Sequence, residues 1–438
     1  MRTVKALLGL LFVGGLLGAD VSNPKLAEGM ATIQPASVYA TCSELASPRF
    51  QGRLTGHEGY TAMSRWVGEL FASWKLKPLS AQTGYLQEFP TQHTVVDSAT
   101  MQLVTAGAGA GKQEEKQLEP FTDFLPLLYS DSGERTGQIV FAGWGISAPG
   151  LGYDDYAGLD VREKFVLCFR GTPDPADARY TEHDEHRTRM ATALKKGAIG
   201  LLYIYEEPLA NPNGDWLAGF MPAIISNRVA DLMFKSKGIE SKKLQEDLLK
   251  YKRPLSCLLD ATVTLKVNSR HFPRSSGYNV CGIVEGSDSE LREEIIVIGA
   301  HADHCGEHMG AIFPGANDNA SGTAVVIEMA RTFAKLPVKP RRSLAFVLFG
   351  GEETGLQGSR HYADQLADLP GKVVGMINFD MAGAGDGANC GYSAGTEYLE
   401  ALIKAADKDV GILRGSRPIR RVGVRSSDFA HFFLKGIP

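Results

Sequence analysis

From residue 278 onward the chain alternates apolar runs of strand length with segments of helical spacing: EEIIVIGAH, SGTAVVIEMARTFAKL, RSLAFVLFGG, GLQGSRHYADQLADL and KVVGMINFD. Such alternation predicts a parallel sheet covered by helices. The constraint tightens at the ends of the runs. GAHADH puts His301 and Asp303 after the first strand, and PGANDNASG puts Asp318 before a helix. FGGEETG puts Glu352 and Glu353 after the next strand, and NFDM puts Asp380 after the last. Side chains gathered at the carboxyl ends of successive parallel strands converge on one crevice, where open α/β sheets bind and react.

Imidazole nitrogen and carboxylate oxygen are donors that zinc takes, and a catalytic zinc keeps one position for water. Two metals about 3.5–4 Å apart share bridging ligands and bring the pKa of water near neutrality. Asp303, two residues beyond His301, points the same way along an extended chain and is placed to accept the other imidazole N–H. Asp318 lies in a turn whose Gly315 and Gly322 permit a tight backbone. Glu352 and Glu353 are adjacent, so their side chains diverge. One binds metal and the other serves as general base, an assignment that spacing leaves open. Singly, each residue has a plainer reading as a polar strand end, a helix N-cap or a solvated acid. Together they point to a site, because folding alone does not ask for so many acids beside buried strands. A rival cluster, Glu182, His183, Asp184, Glu185 and His186, precedes a predicted helix and reads as a solvated loop or helix N-terminus.

A length of 438 residues suggests two or three domains. The net charge of −4 argues against nucleic-acid binding. Arg2 and Lys5, the apolar run 6–17 and the small pair Gly18-Ala19 read as a signal peptide over 1–19. That run is too short for a comfortable membrane span, and no later segment is long and apolar enough. The expectation is therefore an exported protein, periplasmic or extracellular, with no stable membrane anchor. The six cysteines are scattered without a CxxC pair and read as small loop or core residues. Apolar spacing predicts a helix over 63–74, and the small and polar stretch 105–117 predicts an exposed loop. A phosphate-loop reading there fails because Gln113 stands where Ser or Thr is needed. Residues 135–265 hold short β-type runs and one helix near 187–196, which suggests a separate β-rich domain. The expected division is a signal peptide 1–19, an N-terminal part 20–134, an insertion 135–265 and a metal-binding part 266–438.

At these motifs the chain resembles the M28 family of zinc peptidases, of the kind with a protease-associated (PA) domain inserted in the peptidase domain. SPRFQGRLTGHEGY is similar to the family's opening motif, and GWGISAPGLGYDDYAGLDVREKFVLCFRG and KKGAIGLLYI are similar to the inserted domain. AHADH, PGANDNASGTA, GGEETGLQGS and NFDMAG are similar to its metal motifs. The resemblance implies an α/β fold with a mixed, mostly parallel sheet sandwiched by helices, and two zinc ions. It implies that His301 and Asp380 hold one zinc, that Asp318 bridges both and that Glu353 binds the second. Glu352 would be the general base and Asp303 the partner of His301. The implied activity is that of a metallo-aminopeptidase acting on peptide or protein substrates.

Two departures stand out. The family completes its second zinc with a histidine in an SDH motif shortly before GIP, and SSDFAHFFLKGIP puts Phe429 at that position. His431, two residues on, either takes the missing ligand's place or is an ordinary histidine beside Phe432 and Phe433. The family also continues beyond the point where this chain stops at Pro438, so the metal-binding part reads as C-terminally truncated. Phe429 leaves room for a non-catalytic, peptidase-like binding protein. Arg414, Arg417, Arg420, Arg421 and Arg425 leave room for recognition of a substrate carboxylate, as in a carboxypeptidase. A glutaminyl cyclase-like enzyme is the remaining alternative on this fold.

Overall fold

The computed structural model describes residues 29, 31–107, 112–383, 390–407, 413–416 and 426–438. The expected signal peptide lies outside these residues, as do Arg417, Arg420, Arg421, Arg425 and the side chain of Arg414. The chain divides into two compact units. One comprises 1–92, 273–306 and 312–438, and the other 93–272 with 307–311.

The first unit opens with helices α1 (Pro35–Leu45) and α2 (Glu58–Ser73). Helix α2 buries Met63, Val67 and Phe71, an i, i+4, i+8 stripe that the spacing over 63–74 predicted. Strand β1 (Leu86–Ala106) follows.

In the second unit, residues 101–106 of β1 pair antiparallel with β2 (Gln113–Leu118). Much of the stretch expected as an exposed loop is therefore hairpin. Its second strand, QEEKQL, buries only Leu118, so it shows no apolar alternation by which to recognise it. Next come β3 (Phe124–Pro126), β4 (Gly133–Phe141), β5 (Phe165–Phe169), α3 (His186–Lys195), β6 (Gly200–Tyr205) and β7 (Met221–Ser226). Helices α4 (Asn227–Phe234) and α5 (Ser241–Tyr251) and strand β8 (Cys257–Val284) complete it. β4, β5, β6 and β7 are parallel neighbours in that order. β3 joins β7 and residues 257–267 of β8 join β4, both antiparallel.

One face of this sheet packs Phe141, Leu167 and Leu202 with Val229, Met233 and Leu248 of α4 and α5. The other packs Val140, Val166 and Tyr203 with Met190 and Ala193 of α3. The single helix expected in this region is thus a correction, since three are present. α4 has only eight residues and α5 eleven; both keep helical spacing, α4 burying Val229, Ala230, Met233 and Phe234 and α5 Leu244 and Leu248, but each is short and sits among β-type runs. The unit also reaches further than 135–265, because Val96, Met101, Leu103 and Leu118 pack into the same core as Ile139 and Phe141.

The first unit resumes with β9 (Glu294–His301), α6 (Gly322–Lys335), β10 (Ser343–Phe349), α7 (Gln357–Asp364), β11 (Lys372–Asn378), α8 (Glu397–Asp407) and α9 (Phe429–Leu434). β11, β9 and β10 are parallel neighbours, and residues 280–284 of β8 join β10 antiparallel. The sheet is mixed and mostly parallel, as expected. Its strands are buried on both faces: Ile298, Ala300, Phe346 and Leu348 pack with α2 and α6, while Val297, Ala345, Val347 and Phe349 pack with Tyr362 of α7 and Phe432 of α9. The chain leaves β9 to enter β10 on one side and returns to β11 on the other, so the carboxyl ends of the three strands frame a switch point. Among the described residues no helix is long and apolar enough to cross a membrane, and no disulfide joins the cysteines.

Candidate metal centre

His301 ends β9 with 1% of its surface exposed. Its Nε2 lies 3.2 Å from Asp318 Oδ1 and 3.4 Å from Asp380 Oδ1, and its Nδ1 lies 3.6 Å from Asp303 Oδ1. Asp303 is fully buried and accepts a hydrogen bond from the backbone N–H of Glu352 at 3.2 Å, which ties the end of β9 to the turn after β10. Burial opposes charge on His301, but the carboxylates of Asp303, Asp318 and Asp380 outweigh it and raise the imidazole well above its ordinary range. His301 in turn holds the carboxyl of Asp318 below its usual value. Burial pushes the Glu352 carboxyl up to about 9, with the negative charges of Asp428, Asp303 and Glu353 adding to the effect.

The loops that carry these groups are fastened by residues the sequence reading did not single out. Asn319 is fully buried. Its Nδ2 donates to Phe379 O at 2.9 Å, and its Oδ1 accepts from Gly322 N at 3.0 Å and Met381 N at 3.1 Å. One side chain thus joins the residue after Asp318 to the residues on either side of Asp380. Ser427 Oγ donates to Asp380 Oδ2 at 2.7 Å and accepts from Asn378 Nδ2 at 2.7 Å.

Arg53 is also fully buried, and its guanidinium donates to the carbonyls of Ala302, Leu45, Pro314 and Gly315 at 2.6 to 2.9 Å. It spans the loop after β9 and the loop before Asp318. Burial lowers its pKa to about 10 against the support of Asp303, Glu353 and Asp318. Gly52 beside it has φ +67, and a Cβ there would stand 2.4 Å from Gly306 O, so the close approach needs glycine. Such contacts leave no periodic signal. The cue available in the sequence was that Arg53 lies in SPRFQGRLTG, one of the motifs on which the resemblance rests.

The structure brings together two groups of donors among the described residues: His301, Asp318 and Asp380, and His304, Cys305 and Glu353. His431 is in neither group. It sits on α9 with its charge facing Asp364 at the end of α7. Of the two readings of His431, this placement supports the ordinary histidine. Two helical residues turn the side chain through about 200°, so it cannot follow the direction of Phe429. Phe429 packs against Leu356 and Phe432.

The rival cluster is less solvated than expected. His186 and Arg189 are buried, and Arg189 donates to Asp184 Oδ1 at 2.6 Å and to Trp144 O at 2.7 Å. Of the acids there, Asp184 serves an internal arginine, whereas Glu182 is exposed as expected.

A tetrahedral zinc with bonds of about 2.0–2.1 Å sets its donor atoms about 3.3 Å apart. The His301–Asp318 and His301–Asp380 separations of 3.2 and 3.4 Å match that edge. The first donor group therefore fits such an ion.

Residues 279–438 match peptidase family M28. The matched segment contains every metal donor named above. Aminopeptidase YwaD of Bacillus subtilis (strain 168) is 31% identical over 244 residues, which is 55% of this chain and 45% of that protein. The aminopeptidase of Pseudomonas aeruginosa (strain UCBPP-PA14) is 37% identical over 156 residues, 33% of this chain and 27% of its own length. The chain thus spans less than half the length of these curated relatives. Its fold is shared with the aminopeptidase from Aneurinibacillus sp. strain AM-1 (TM-score 0.61, 22% identity, 93% of this chain and 84% of that one). The Peptidase M28 precursor from Shewanella amazonensis SB2B is similar as well (TM-score 0.62, 19% identity, 94% and 85%).

Proposed function

We propose that this chain is an exported zinc aminopeptidase that hydrolyses the N-terminal bond of peptides, with His301, Asp318 and Asp380 holding zinc and Glu352 as general base. The observation that carries the reading is the match of the His301, Asp318 and Asp380 donor separations to a zinc coordination edge, at the carboxyl ends of parallel strands and beside a half-buried glutamate. Relatives named as aminopeptidases support the direction of the chemistry.

When bound, zinc polarises a carbonyl oxygen and eases the loss of a proton from water. Asp303 faces His301 Nδ1 at 3.6 Å, placed to accept its N–H and so leave Nε2 for the metal. Asn319 and Ser427 hold Asp318 and Asp380 against the repulsion of like charges. Glu352 takes a proton from water and delivers it to the leaving amine. Burial and the neighbouring carboxylates raise its carboxyl to about 9, so positive charge in the site would favour the ionised form.

Glu352→Gln should keep zinc content unchanged and lower kcat on an aminoacyl substrate by about 10²–10⁴-fold. Peptides blocked at the amino end should resist the wild-type enzyme, whereas those blocked at the carboxyl end should be cleaved. Cleavage of amino-blocked peptides would mark a carboxypeptidase, and no hydrolysis of either by zinc-loaded protein would mark a binding protein.

A further inference from the structure

We infer that His304, Glu353 and Cys305 form a second metal site for a borderline dication such as zinc, with His304 supplying the imidazole that α9 does not. The nitrogen of His304, the sulfur of Cys305 and an oxygen of Glu353 all lie within 4.8 Å of one another. Nitrogen, sulfur and carboxylate oxygen are the donor types zinc takes in proteins. All three residues are half-buried or buried, which restricts competition from bulk water.

The imidazole is fixed in place before any ion arrives. The backbone N–H of His304 donates to Arg53 O at 3.1 Å. Its ring lies against Gly315, whose φ is +53, and a Cβ at that position would come within 2.4 Å of the ring. Glu353 is fixed from the other side by the turn after β10, in which Glu352 N is bonded to Asp303. His304 Nδ1 stands 2.5 Å from Glu353 Oε1, a distance bridged by a proton. Donors that share a zinc stand about 3.3 Å apart, so an ion replaces that proton after a small opening of the pair. His304 also lies among the charges that act on Asp318, which places the two donor groups side by side.

The inference rests on the reading of His301, Asp318 and Asp380 as a zinc site, and zinc counting separates the two. Zinc per chain is measured by elemental analysis of the full protein, at equal free zinc, for the wild type and for His301→Ala, His304→Ala, His304→Gln and His431→Ala. Circular dichroism confirms that each is folded, and His304→Gln keeps a hydrogen-bond partner for Glu353 in case alanine unfolds the loop. The expected result is two ions in the wild type and in His431→Ala, and one in both His304 variants. Two ions retained in a folded His304 variant overturn the inference. A single wild-type ion that disappears in His301→Ala overturns it too, while leaving the proposed function standing. A wild type without zinc overturns both.

Discussion

His186 is held without a proton among cations. Its Nε2 lies 2.9 Å from an Arg170 nitrogen, and burial, followed by the charges of Arg170, Arg189 and Arg187, pushes its pKa from 6.5 down to about 2. The unfolded chain binds a proton there below about 6.5, and the folded chain does not. The stability that His186 contributes is therefore complete above the unfolded value and is lost as the pH falls from 6.5 toward 2. Between pH 7 and 5 the second unit should weaken with a slope approaching about 1.4 kcal/mol per pH unit, and His186→Gln should flatten that slope. Denaturant melts of both proteins at several pH values check this. Parallel losses in the two would place the acid sensitivity elsewhere. The same contrast between surroundings separates neighbours in the crevice, where Glu352 faces His301, Asp303 and Asp428 while Glu353 faces His304.

At the scale of elements, the site depends on three loops keeping register at the ends of β9, β10 and β11. Asn319 does much of this alone, with three hydrogen bonds across two loops. Asn319→Ala should lower zinc affinity by about 10–100-fold, by analogy with the loss of groups that orient metal ligands, while leaving the helical signal nearly intact. A competition titration against a chelator reads the affinity, and an unchanged constant would mean that the loops hold themselves.

The strands and helices of this unit were legible because continuous apolar runs such as SLAFVLF and the period of α6 are set by burial on both faces. The meeting of His301 with Asp318 and Asp380 was legible because strand ends in parallel sheets have little freedom in where they point. Asn319 and Arg53 were not, since their partners are backbone groups up to 262 residues away and leave no spacing to read. His431 was read from an alignment of letters, whereas a helix sends residues 429 and 431 in different directions. α4 and α5 were missed although Val229 with Met233 and Leu244 with Leu248 keep helical spacing, because each helix is short and lies among β-type runs.

At the scale of the molecule, the two units own separate apolar cores. Calorimetry should resolve two transitions. A chelator should lower the one that Asn319→Ala also lowers, by about 2.7 kcal/mol when the protein starts at free zinc a hundredfold above Kd. It should spare the one that acid weakens through His186, and a single transition shifted by both treatments would contradict this. The threading of the chain has a further consequence. Arg53 reaches Ala302 across 249 residues, with nearly all of the second unit synthesised in between. Chains emerge from the ribosome amino end first. A guanidinium destined for the interior therefore waits in water while an entire neighbour is translated. Early folding of that neighbour shortens the loop Arg53 must close, although closure entropy grows only slowly with length. No nascent chain shorter than 380 residues carries His301, Asp318 and Asp380 together. The full donor set thus becomes available only after the second unit has been translated, and a shorter growing chain is kept chemically silent by the order in which it is made.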